Sequence, residues 1–115
     1  MTSTNVKVSS VELNIVNDVQ NVITRTFPQA EIILYGSTAK GKRTVASDYD
    51  FLVITNSRVS EKQKEPVFDY VFKKYILEKN IEVSIFYQTR ENWESKVMKG
   101  SPYYQNITQE GIVLS

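Results

Sequence analysis

The stretch that decides the fold runs from residue 34 to residue 54, "LYGSTAKGKRTVASDYDFLVI". An apolar run ends in the pair Gly36-Ser37. Ten residues later, Asp48 and Asp50 open a second apolar run, Phe51-Leu52-Val53-Ile54. Core strands rarely begin with two spaced carboxylates unless something positive sits beside them. Side chains alternate along a strand, so Asp48 and Asp50 point to the same face, with Cα atoms roughly 6.5–7 Å apart. Two carboxylates so placed can converge on one or two divalent cations. Magnesium takes oxygen ligands and keeps substrate phosphates and waters in its shell. Without a cation the two charges repel and one carboxyl titrates high. Tyr49, between them, faces the other way and is expected in the core with Phe51.

Gly36 lets the backbone turn tightly and lets a ligand approach closely. A helical turn beginning at Ser37 would offer free N–H groups and a hydroxyl to a phosphate. Lys40, Lys42 and Arg43 lie in the connecting loop, where they could steer a triphosphate or balance its charge. Each part alone is unspecific. Gly-Ser closes many turns, Asp-x-Asp begins many strands, and basic loops are mostly solvated surface. The joint arrangement of strand, Gly-Ser, ten residues, Asp-x-Asp and strand is far more specific.

Around this stretch the spacing predicts α-β-(turn or short α)-β-α-β-α-α, an α/β layout with a small central sheet covered by helices. Val11, Ile15, Val19 and Val22 make one face of a first helix, with Ser9 and Glu12 at capping-box spacing and Pro28 stopping it. Residues 30–35 and 49–54 read as buried strands. Residues 55–65, "TNSRVSEKQKE", read as a polar connector, and 66–79 as an amphipathic helix with Pro66 in its first turn. Residues 80–88 read as a third strand. A short helix is expected from Thr89 to Gly100, and another from Ser101, its cap, to Gly111, just past its end. Phe68, Tyr70, Phe72, Tyr75 and Ile76 exceed the single stripe a covering helix needs. The surplus suits either a partner surface or a thicker core. Tyr87, Trp93, Tyr103 and Tyr104 suit local packing first, and base stacking or a partner surface second.

The bulk numbers fit one domain over residues 1–115. Fourteen Lys and Arg against thirteen Asp and Glu give a formal charge of +1. No global field therefore favours nucleic acid or an anionic membrane. The chain has no cysteine and no histidine. Disulfides, thiolate sites and the commonest general base are excluded, which leaves carboxylates, Lys/Arg, hydroxyls or a bound metal for any chemistry. With no apolar run of signal or membrane length, the chain is expected to be soluble and cytoplasmic.

"GSTAKGKRTVASDYDFLVI" resembles the signature of the DNA polymerase beta-like nucleotidyltransferase superfamily. More narrowly, it is similar to the minimal nucleotidyltransferases of bacteria and archaea, including the basic loop and the Ser47 before the first aspartate. "SPYYQNITQEGIVL" resembles the end of such domains less diagnostically. The resemblance implies a nucleotidyltransferase fold, with a small mixed sheet flanked by helices. It implies that Asp48 and Asp50 bind catalytic magnesium, with two ions, and that Gly36 and Ser37 contact the phosphates of ATP or another nucleoside triphosphate. It implies transfer of a nucleoside monophosphate, most often AMP, to an acceptor hydroxyl. Such proteins often act with a HEPN-domain partner, as antitoxins or as two-component transferases. A homo-oligomer is the other assembly expected.

Family members usually carry a third acidic residue on a later strand, as metal ligand or general base. Glu82 is the acidic candidate on the third strand, and Ser84 shares its face two residues on. If Ser84 takes the equivalent place, the domain is expected to be a weak transferase, or a binding module that neutralises its partner by contact. A third option is transfer to a small molecule, for which the acceptor site would need a partner to complete it.

Overall fold

The computed structural model describes residues 10–35 and 49–115. Its elements are α1 (Ser10–Thr26), β1 (Glu31–Tyr35), β2 (Tyr49–Thr55), α2 (Glu61–Val71), β3 (Val83–Thr89), α3 (Arg90–Trp93), α4 (Lys96–Lys99), α5 (Pro102–Glu110) and β4 (Ile112–Val113). The four strands form one mixed sheet in the order β3-β2-β1-β4. β1 runs antiparallel to both β2 and β4, and β2 runs parallel to β3. The parallel pair needs a crossover, which α2 supplies. Among the described residues no helix is long and apolar enough to cross a membrane.

Alternation along the strands divides the core into two layers. On the first face Ile32, Leu34, Tyr49, Phe51, Val53 and Val83 pack under α1 and α2. The helices contribute Ile15, Val16, Val19, Val22, Ile23, Val67, Val71 and Tyr75. Tyr49 is 1% exposed and Phe51 fully buried, as the spacing predicts. On the second face Ile33, Leu52 and Ile54 pack against Trp93 and Ile107 from the short C-terminal helices. β2 is apolar on both sides from Phe51 onward because both of its faces are covered.

Three expectations are corrected. The second helix begins five residues before residue 66. Ser60 caps it, accepting from the Gln63 N–H, while the Gln63 side chain accepts from the Ser60 N–H. Residues 61–65 therefore belong to the helix, and Pro66 sits inside it, one turn later than expected. Residues 89–100 form two single turns, because Ser95 caps a second start at Lys96. The third strand begins at Val83, so Glu82 precedes it. The cap expected at Ser9 lies outside the described residues.

α2 continues as a π-helical segment, Phe72–Leu77. In an α-helix residues five apart point about 140° away from each other. The wider turn brings Tyr70 and Tyr75 to the same side, where both hydroxyls donate to the Asp18 carboxylate of α1, Tyr75 at 2.5 Å and Tyr70 at 3.0 Å. Lys74 donates to the same carboxylate at 2.9 Å. Burial works against the Asp18 charge, but the bonds from Tyr75, Lys74 and Tyr70 outweigh it and hold the carboxyl below its ordinary range. This polar knot ties α1 to the crossover.

Candidate active site

The second face of the sheet is a grid. Ser84, Asp50 and Tyr35 form its first row, on β3, β2 and β1. Phe86, Leu52, Ile33 and Val113 form the second row, and Gln88, Ile54 and Glu31 the third. Trp93 and Ile107 cover the lower rows. Asp50 is half-buried in the first row, at the end of the sheet where β1 finishes and β2 and β3 begin. The chain leaves β1 at Tyr35 and enters β2 at Tyr49, and both residues lie at this end of the sheet.

Gly36, Ser37, Lys40, Lys42, Arg43 and Asp48 lie outside the described residues. Asp50 and Glu82 are within them. The Tyr49 N–H donates to the Glu82 carbonyl at 3.0 Å, which sets Glu82 at the entrance of the β2–β3 pair. Its side chain is exposed and precedes the strand. The residue opposite Asp50 on β3 is Ser84.

Two residues that the sequence did not single out lie near Asp50, one in its row and one in the next. Tyr35 lies beside it on β1. Its ring meets Tyr103 edge-on at 6.3 Å. Burial, the neighbouring Tyr103 phenol and the Asp50 charge all push the Tyr35 phenol well above its ordinary range. Phe86, on β3, approaches Tyr35 with ring centroids 6.5 Å apart. Tyr103 in turn meets Trp93 edge-on at 6.0 Å, and Tyr104 lies 4.7 Å from Trp93. Trp93 and Tyr104 are thus local packing. The available signals were the position of Tyr35 directly before Gly36 and the shared parity of Phe86 with Glu82 and Ser84.

The described donors of the first row are all oxygens: a carboxylate, a hydroxyl and a phenol. The chain has no histidine or cysteine to add. Such a hard oxygen set suits cations of the magnesium, calcium and manganese kind. Among the described residues no three acidic side chains come together to hold a metal ion. Asp50 is the metal-ligating candidate on this row, and Asp48 stands two residues before it in the sequence.

A groove of about 600 Å³ runs along the outer edge of β3. Phe68, Phe72 and Ile76 wall it from the crossover, Ser84 and Phe86 from the sheet. Phe68 and Phe72 stack on each other at 5.4 Å, and Phe68 is 59% exposed. Of the surplus helix aromatics, Tyr75 is core and Tyr70 is half-buried against Asp18.

The sequence profile of the nucleotidyltransferase domain family matches residues 16–114. No curated protein matches the chain. A solved crystal structure of a proposed nucleotidyltransferase is 21% identical, covering 70% of this chain and 84% of that one, with a TM-score of 0.48.

Proposed function

Because the chain belongs to the nucleotidyltransferase domain family, we propose that it transfers AMP from ATP to an acceptor hydroxyl on a HEPN-domain partner, as the antitoxin of a toxin–antitoxin pair in the cytoplasm. The observation that carries this reading is the place of Asp50. It is the second acid of the Asp-x-Asp pair, half-buried in the first row of the sheet beside Tyr35, the last residue of β1. Asp48 and Asp50 hold the metal in this reading. Bound magnesium supplies charge neutralisation on the triphosphate and its pyrophosphate product. Gly36 and Ser37 bind phosphate oxygens through backbone N–H groups and a hydroxyl. Lys40, Lys42 and Arg43 balance the remaining charge. Labelled transfer from ATP to the partner, in the presence of magnesium, tests the reading, with the Asp48→Ala/Asp50→Ala double variant as control. Transfer is expected from the native chain alone.

One observation favours a second reading. The residue opposite Asp50 is Ser84, and Glu82 stands exposed before the strand. A site with two carboxylates keeps nucleotide binding but loses a base or a ligand. In that case the domain neutralises its partner by contact. A double variant that still neutralises the partner favours this second reading. One that binds the partner without neutralising it favours transfer.

A further inference from the structure

Tyr35 and Phe86 lie on β1 and β3, with β2 between them. Strands are spaced about 4.8 Å apart, so their backbones stand about 10 Å from each other. Their ring centroids are nevertheless only 6.5 Å apart. The two rings therefore lean together over β2, where Leu52 is fully buried and Asp50 is the next residue on that face. Tyr35 is braced from behind: its ring meets Tyr103 edge-on, and the Tyr103 ring rests edge-on against buried Trp93. Phe86 is different. It is 47% exposed, a large apolar ring standing in the row next to the Asp50 carboxylate.

We propose that Phe86 and Tyr35 form a ledge on which the planar base of a nucleotide stacks while its phosphates lie toward Asp50. The ledge turns a triphosphate site into a nucleoside triphosphate site. It rests on the nucleotide reading given above and adds how the base is selected. A ring face attracts any base by stacking, and purines overlap it most. Stacking on the ledge distinguishes bases by size and not by their hydrogen-bonding edges. ATP and GTP bind alike, and pyrimidine nucleotides bind more weakly.

Calorimetric titration of the full chain with the magnesium complexes of ATP, GTP and inorganic tripolyphosphate tests this. For the native chain, ATP and GTP are expected to bind within about three-fold of each other, and tripolyphosphate about ten-fold more weakly, the difference made by one stacked base. Phe86→Ala is expected to bring ATP down to the tripolyphosphate level while leaving tripolyphosphate unchanged, which also shows that the variant is folded. Phe86→Tyr is expected to keep the native affinity for ATP. Equal binding of ATP and tripolyphosphate by the native chain, or an unchanged ATP affinity in Phe86→Ala, overturns the ledge and leaves the phosphate site standing. A native chain that binds neither compound overturns the nucleotide reading and the ledge with it.

Discussion

Asp50 and Ser84 stand directly opposite each other across the parallel β2–β3 pair. Glu82, two residues earlier, precedes the strand with its side chain exposed. The place nearest Asp50 on β3 therefore carries a hydroxyl. Ser84→Asp is expected to add the missing carboxylate and raise the transfer rate by about 10²-fold, the usual contribution of a positioned acid–base group. Glu82→Gln is expected to leave the rate within about two-fold of native, since its side chain is exposed and precedes the strand that carries Ser84. Rates measured with labelled ATP check both. Loss of transfer in Glu82→Gln would return the third-carboxylate role to Glu82.

Asp18 accepts three hydrogen bonds, and its partner Tyr75 is 2% exposed. Asp18→Ala leaves the Tyr75 hydroxyl without its acceptor in the core, at a cost of about 1–3 kcal/mol. The pH dependence has a definite sign. The folded carboxyl titrates below its unfolded value, so its stabilisation is present above about pH 4 and fades as the pH falls through the folded value. Melting temperatures of the native chain and Asp18→Asn should differ at neutral pH and converge in acid. A gap that persists unchanged at pH 2 contradicts the assignment.

Gly111 is required by space and not by backbone conformation, since its φ is −74°. A Cβ there would lie 2.5 Å from the Ile107 carbonyl and 2.7 Å from Ile33 Cγ2. The glycine lets the chain turn from α5 straight into β4 against the sheet. Gly111→Ala is expected to destabilise the fold by about 1–3 kcal/mol, as overpacking does. Urea denaturation measures this, and a midpoint equal to native would contradict it.

Strands β1 and β2 were legible because each is a short apolar run closed by a glycine or opened by acids. The α5 helix was legible from Ser101, Pro102 and Gly111, whose preferences agree with their positions. The start of α2 was hidden because residues 61–65 carry no apolar side chain, leaving periodicity nothing to detect. The Ser60–Gln63 capping box was its only local signal. The π-helical segment was not legible, because its wide turn answers to a tertiary demand, the reach of Tyr70 and Tyr75 to Asp18.

Of the candidate site, alternation placed Tyr49 in the core with Phe51, and Asp50 lies on the opposite face of the sheet. The register of β3 decides whether Glu82 or Ser84 meets Asp50, and parity alone does not distinguish two residues on one face. Tyr35 and Phe86 come together across an intervening strand, so their pairing depends on strand order, which no local pattern carries. Asp48 and the Gly36–Arg43 loop rest on the sequence and the family match.

The most direct test of the central claim is label transfer from α-labelled ATP to the co-purified partner, with magnesium, by the native chain and by Asp50→Ala. The account predicts labelled partner with the native chain and at least about a 10²-fold loss with Asp50→Ala, the scale expected when charge stabilisation at a reacting phosphate is removed. Equal labelling by the two proteins would contradict it.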